Sequence, residues 1–254
     1  MPRNGSISPS VETNPVRKPR AQNLVGGLEP SGPVIIRTPQ VGRITVPIIG
    51  IEPLVVHAWS EKARKKMLAG MQKEAGTKMR IAREPRNPVD DFNGARYTCH
   101  EGNLEWDGVP CVAFKSAMVE ACRQVEDLTM TEARRALFVK ADGHTDYHSP
   151  NSCKTTIGLV RIYGEPEMRE DAARNDNGGT DLRYRPQYWP WRADLQIEFN
   201  ASKFKDDAIM NLVAIAGFWE GVCEWRPGSK KSNSGQLGRW MLDEDTINKR
   251  GGGN

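Results

Sequence analysis

The densest run of chemically useful residues is Gly217-Phe218-Trp219-Glu220-Gly221-Val222-Cys223-Glu224-Trp225-Arg226-Pro227-Gly228, which continues Ser229-Lys230-Lys231-Ser232-Asn233-Ser234-Gly235-Gln236-Leu237-Gly238-Arg239. Glycines at 217, 221, 228, 235 and 238 let a backbone turn tightly and approach a ligand closely. From Trp225 to Leu242 every charged residue is a cation: Arg226, Lys230, Lys231 and Arg239. Bare backbone N–H groups beside cations suit phosphate oxygens, the contacts that dominate nucleic-acid affinity. The same composition also describes a basic hairpin with no ligand. No G-K-[ST] opens a helix, so the run is not a P-loop, and it is not a dinucleotide fingerprint.

A second run, Leu182-Arg183-Tyr184-Arg185-Pro186-Gln187-Tyr188-Trp189-Pro190-Trp191-Arg192, holds four aromatics and three arginines. Single strands are held by rings that stack on bases and by cations that meet phosphates, each stacked base contributing about 1–3 kcal/mol. Arginine also stacks on rings. On this chemistry Arg183, Tyr184, Arg185, Trp189, Trp191 and Arg192 are candidate contacts. Tryptophan and tyrosine near prolines also cover core edges, and Trp and Arg are enriched at protein interfaces.

Catalytic arrangements are sparse. His57 closes an apolar run and has the chemistry of a general base, although a lone histidine is more often structural. His144 and His148 have an H-x-x-x-H spacing with Cys153 beyond them, but a zinc site needs four ligands and no second pair follows. Asp90-Asp91 and the acids from Glu165 to Asp171 have the chemistry of a magnesium site, diluted by Arg169 and Arg174. No G-x-S-x-G and no Cys–His signature occurs. The expectation is a protein with no catalytic residues, no cofactor and no metal.

The elements that must position these groups follow from periodicity. A strand is expected over 43–50, with Pro47 arguing for an edge or a bulge, and a second apolar run spans 53–57. Ser60 reads as the N-cap of a basic helix through Met71. From 62 to 86 nine cations stand against two acids. A polar insertion over 87–107 leads to a strand over 108–114 and a helix over 115–125. Strands follow over 136–140 and 156–163, then a loop-like insertion over 168–191. Residues 193–199 alternate apolar and polar, the signature of a half-buried strand. A helix over 206–216 is expected to close on Gly217, and a last strand covers 238–242. The order strand, helix, strand, strand, helix, strand predicts an α+β fold of the ferredoxin-like, split βαβ kind. A generic α+β sandwich is the alternative.

The 254 residues carry a formal charge of +4 and a mean hydropathy of -0.60. That length supports one core with polar insertions. Residues 1–39, rich in Pro, Gly and Ser, read as a disordered arm. Residues 40–245 read as a single domain with insertions at about 60–107 and 168–192, and 246–254 read as a tail. Five dispersed cysteines without a C-x-x-C pair disfavour disulfides and favour a cytoplasmic setting. No apolar run approaches the roughly 20 residues a membrane span needs, and no signal-peptide pattern is visible.

A helix, a G-x-x-x-G turn, Arg226 and a Gly-Ser-Lys loop closing on Gly238-Arg239-Trp240 resemble the glycine-rich loop of the RAMP superfamily. These are ferredoxin-like RNA-binding proteins that include the backbone subunits of CRISPR effector complexes. Val109-Pro110-Cys111-Val112-Ala113-Phe114-Lys115-Ser116-Ala117 is similar to the superfamily's strand-to-helix element, with Lys115 at the lysine of the helix start. The resemblance implies RNA contacts by Lys115 and by Gly221, Arg226, Gly228, Lys230, Lys231, Gly235, Gly238 and Arg239. It further implies that the 182–192 segment sits where a strand-intercalating thumb emerges. The chain also resembles an uncharacterised tailed-phage family at Val55-Val56-His57-Ala58-Trp59-Ser60, Met168-Arg169-Glu170-Asp171, Arg183-Tyr184-Arg185-Pro186 and Glu224-Trp225-Arg226-Pro227. That likeness implies phage DNA metabolism in an infected cell. The resulting expectation is a non-catalytic binder of single-stranded DNA or RNA that lines up as a homo-oligomer along the strand. An assembly factor or inhibitor of a host defence complex, and a metal-dependent nuclease, are the alternatives.

Overall fold

The computed structural model describes residues 38–59, 64–65, 67–68, 71, 87–148, 154–174, 179–230 and 234–251. Residues 1–37 of the expected arm and most of the basic stretch 62–86 lie outside the described residues. Lys231 and Cys153 also lie outside them.

The strand β1 (Val41–Gly50) turns Ile44, Val46 and Ile48 toward the core, and β2 (Leu54–Val55) follows it. Helix α1 (Pro88–Gly94) starts where Asn87 accepts from the Val89 amide at 3.0 Å, with proline in its first turn. The strands β3 (Thr98–Glu101) and β4 (Leu104–Pro110) then form a hairpin inside what the sequence reads as a polar insertion. Helix α2 (Cys111–Ala121) begins four residues earlier than expected, directly after Pro110. The buried set Phe114, Ala117, Met118 and Ala121 has helical spacing, and that stripe decides against a strand through 114. Lys115 therefore lies in the second turn rather than at the helix start.

Helix α3 (Met130–Ala136) opens with a reciprocal capping box between Thr129 and Glu132. It runs straight into β5 (Leu137–Val139), and β6 (Gly143–His148) and β7 (Lys154–Arg161) pair antiparallel. The expected loop over 168–191 is mostly a hairpin of β8 (Pro166–Arg174) and β9 (Thr180–Tyr188). The alternating strand is β10 (Arg192–Asn200), helix α4 is Asp206–Trp219, and β11 (Trp240–Leu242) and helix α5 (Glu244–Gly251) end the described chain.

The fold is α+β. The central sheet has the order β11-β1-β10-β5 with every pair antiparallel. Taken in chain order with α2 and α4, these strands follow the split βαβ connection order. Two further sheets have the orders β2-β9-β8 and β3-β4-β7-β6, and the expected insertions supply β3 and β9 and most of β4 and β8. Phe114 and Trp240 meet edge to face inside the core, at a centroid distance of 5.7 Å.

Pro47 is not at an edge: β1 is paired on both sides. Its carbonyl accepts from the Asp243 amide at 3.0 Å, one residue past the end of β11. The missing N–H of Pro47 points to that same side, where the ladder has already ended, so no strand bond is lost. Helix α4 runs past Gly217 as well. Gly217 is buried against Trp240, whose carbonyl a Cβ would strike, and the helix closes instead at Gly221 with φ +63°.

Candidate nucleic-acid interface

The glycine-rich loop between α4 and β11 is a packed element, and the amides of Gly221, Val222, Glu224, Gly228, Ser229, Leu237 and Gly238 are already engaged. Val222 N donates to Gly238 O at 3.0 Å, Gly228 N to Glu220 O at 3.0 Å and Leu237 N to Trp225 O at 3.1 Å. Two more bonds dock the loop on the segment around β2: Gly238 N to Pro53 O at 2.8 Å and Glu224 N to Val55 O at 3.1 Å. Gly238 has φ +66°, and a Cβ there would strike the Val222 carbonyl. Side chains at Gly228 and Gly235 would meet the Glu220 carboxylate and the Trp225 and Arg226 carbonyls. The expectation of bare amides cradling phosphate at Gly221, Gly228 and Gly238 is therefore corrected. These glycines let the loop pack on itself.

The loop is pinned by charge. Arg185, 1% exposed, reaches from β9 to Asp171 on β8 and to Glu224 in the loop, each at 3.1 Å. Its guanidinium lies 4.2 Å from the centre of the Trp225 ring, and Arg169 meets the same ring at 5.2 Å. Glu224 also faces His57 Nδ1 at 3.8 Å. Cys223 and Trp225, on either side of Glu224, have φ of +65° and +52°. Non-glycine residues hold such conformations at a cost of about 1–3 kcal/mol each, so the surroundings must over-determine them. Arg185 is consequently a clamp between hairpin and loop, and no ligand can reach it. Trp191 is likewise 1% exposed, with its indole N–H donating to Glu52 O at 2.8 Å. Both were expected as ligand contacts, and both are part of the folded interior. Burial explains the difference: the Trp191 indole N–H and the two terminal nitrogens of Arg185 found partners and could be enclosed, although Arg185 Nε has none among the described residues.

The remaining expected contacts divide by exposure. Trp189 and Arg192 are exposed, Arg183 and Tyr184 half-buried. Arg192 rests 5.1 Å from the Tyr163 ring. Arg226 is half-buried and donates to Cys223 O at 3.0 Å, and Lys230 is exposed. Lys115 stands 4.1 Å over the Phe138 ring.

A group absent from the expected set lies at the end of α4. Phe218 and Trp219 are 55% and 50% exposed and meet edge to face at 5.3 Å. Arg239 crosses from the far end of the loop to lie 5.0 Å over the Phe218 ring. Its Nε is shielded from solvent with no hydrogen-bond partner among the described residues, the kind of orphan donor that calls for an explanation. Glu220 follows, its carboxyl pushed above the ordinary value by burial and by Glu120, while Arg123 and Arg226 pull the other way. Phe218 falls off the buried 209–212–213–216 stripe, a signal present in the sequence. Trp219 falls on that stripe, and only tertiary structure leaves it half exposed.

The catalytic candidates separate in space. His144 and His148 lie four residues apart on a strand, roughly 13 Å, where helical spacing would have brought them together. Asp90 and Asp91 occupy the first turn of α1, and Asp171 is bound by Arg169 and Arg185. No group of three metal-ligating side chains occurs among the described residues. Burial pushes the thiols of Cys99, Cys111, Cys122 and Cys223 above their ordinary value, Cys223 to about 12. Thiols so placed stay protonated and are poor nucleophiles at neutral pH.

His57 is held below 6.5 by burial, which outweighs the raising effect of Glu224; Arg185 and Arg183 lower it further. The expected midpoint in an NMR titration of the imidazole lies under 6.5. Arg183→Gln should raise it, and a midpoint that does not move would show that Arg183 does not act on this ring. Because the folded value is depressed, the contribution of His57 to stability is present above pH 6.5 and fades as pH falls.

The chain matches no family model and no curated protein. Among solved structures it is similar to a chain described as "CRISPR RNA-guided surveillance complex", at 12% identity and a TM-score of 0.23. The match covers 68% of this chain and 58% of that one, so the chain spans less than two thirds of its neighbour's length. So loose a superposition carries no argument about fold or function. No described helix is long and apolar enough to cross a membrane.

Proposed function

We propose that the protein binds single-stranded nucleic acid without catalysing a reaction, and that the strand is gripped at the end of α4. The observation that carries this reading is the half-exposed Phe218–Trp219 pair with the Arg239 guanidinium lying on the Phe218 ring. Aromatic faces offered to bases, with cations alongside for phosphates, are the elements of sequence-tolerant single-strand binding. Arg226 and Lys230 supply further charge in the adjoining loop. The packed loop acts as a rigid base that presents them, which lowers the ordering cost of binding. The resemblance of this loop to the RAMP superfamily suits a role in which repeated subunits line a strand, and on the phage likeness that role would be carried out in the cytoplasm of an infected cell.

The open face of the central sheet is a poorer candidate. Arg43 is paired with Glu198 at 2.9 Å, and Gln196 donates to Asp142 at 2.8 Å. Neither β1 nor β10 turns an aromatic residue to that face, as a base-stacking sheet requires.

Trp219→Ala is expected to weaken binding of a labelled oligodeoxythymidylate by about 1–3 kcal/mol, roughly 5- to 150-fold, with the melting temperature little changed. Full affinity in this variant would remove the aromatic pair from the interface. A second reading has its own observation: Glu220, next to Trp219 in the chain, has Glu120 near enough to raise its carboxyl, and two acids at this end of α4 repel phosphate, which suits a protein partner. Retained strand binding in Trp219→Ala and Phe218→Ala would favour that reading.

A further inference from the structure

The edge of the central sheet away from the glycine-rich loop carries a second gathering of cations around an aromatic ring. Phe138 on β5 is 49% exposed, and the Lys115 ammonium stands 4.1 Å over its ring. Arg134 and Arg135, in the last turn of α3, are exposed and form no ion pair among the described residues. The acids close to them are already occupied. Glu132 is bound by Lys203 and by the Thr129 hydroxyl, and Glu198 by Arg43. Burial and the charge of Arg134 hold the Lys115 ammonium below its ordinary value, so Lys115 and Arg134 stand near enough to repel each other. A helix C-terminus favours cations, which accounts for Arg134 and Arg135 but not for an exposed ring capped by a lysine from another helix.

We infer that Phe138 with Lys115, Arg134 and Arg135 forms a second contact for the same nucleic-acid strand, one that engages only strands long enough to leave the first. This rests on the reading that the α4 end binds a single strand. The separation follows from the register. Phe138 lies opposite Glu198, which lies opposite Arg43, whereas Trp240 lies opposite Gly50. Seven residues along β1 and three strand spacings across give about 28 Å between the two contacts. At roughly 3.4 Å per stacked nucleotide, about eight nucleotides bridge that distance. Linked contacts raise overall affinity without strengthening either one, provided the linker spans them.

The test compares fluorescein-labelled oligodeoxythymidylates of about 4 and about 16 nucleotides, the ends of the range for single-strand-binding folds. The full chain is titrated beside a Lys115→Gln, Arg134→Gln, Arg135→Gln triple variant and Phe138→Ala. The longer strand is expected to bind the triple variant at least 10-fold more weakly. Its dependence of log affinity on log salt should be shallower by about 2, as the loss of three phosphate contacts requires. The shorter strand should bind wild type and variant alike. Arg134→Lys with Arg135→Lys should keep most of the long-strand affinity, which separates charge from fold damage. An unchanged affinity and salt slope for the longer strand in the triple variant would overturn the second contact and leave the α4 site standing. Loss of both strands in Trp219→Ala with no effect of the triple variant would do the same. If neither strand binds wild type, the parent reading is overturned together with this one.

Discussion

Asp107→Ala is expected to destabilise the protein by about 3–5 kcal/mol, the range for removing one partner of a buried charge pair. Asp107 sits on β4, almost fully enclosed, and accepts four groups. Arg96 donates through Nε at 3.2 and 2.9 Å to the two carboxylate oxygens, and its Nη2 approaches within 2.9 Å. The Thr98 hydroxyl donates at 3.1 Å and the Tyr188 hydroxyl at 2.8 Å. Burial and the Asp107 charge push the Tyr188 phenol far above its ordinary value, so it remains a donor. The carboxylate thereby ties β9, β3 and the turn after α1 to one strand, and its loss strands a buried phenol and a guanidinium together. Thermal melts should show a fall on the order of 10 °C. Tyr188→Phe, which removes one bond to a charged group, should cost only about 1.5–3 kcal/mol. A loss under about 1 kcal/mol for Asp107→Ala would mean that water replaces the carboxylate and that the cluster is not enclosed.

Arg185→Ala is expected to cost a similar amount, about 3–5 kcal/mol, with a different signature. The variant leaves Glu224 without its guanidinium partner and Asp171 with Arg169 alone, and it uncovers one face of Trp225. The left-handed backbone at Cys223 and Trp225 then loses its charged clamp, so the loop should relax away from the β8–β9 hairpin. Amide hydrogen exchange should accelerate at Glu224 and in β8 while the central strands keep their protection. Arg185→Lys should rescue little, because an ammonium cannot reach both carboxylates and stack as a planar guanidinium does. Uniform loss of protection across the whole chain would show that Arg185 supports the core and does not act as a clamp.

What the sequence disclosed follows the range of the interactions involved. The alternation of Ala193, Leu195, Ile197 and Phe199 marked β10, and the 209–212–213–216 stripe marked α4, because each depends on which face one element buries. The β8–β9 hairpin did not show itself. Glu-Met-Arg-Glu-Asp-Ala-Ala has little strand propensity, and its pairing depends on a partner strand that carries Pro186. Strand and helix around Pro110 were shifted because a short apolar run has no period of its own; the stripe from Phe114 to Ala121 settles it. At the candidate site the cations and rings were visible as types, and their fates were not. An arginine enclosed by two carboxylates and a ring reads like any surface arginine. Trp191 was enclosed because Gly50 leaves room for its indole and Glu52 offers a carbonyl. Conversely, Phe218 and Trp219 were passed over in favour of the glycines beside them, whose work turned out to be internal.

The central claim is that a nucleic-acid strand lies on the rings and cations at the end of α4. Fluorescence anisotropy of a labelled single strand of about 16 nucleotides, titrated with the protein from low to physiological salt, tests it most directly. The account predicts saturable binding whose logarithm falls linearly with the logarithm of salt concentration, by about 0.7 for each phosphate neutralised. Anisotropy that does not rise with added protein, or rises equally at every salt concentration, would contradict it.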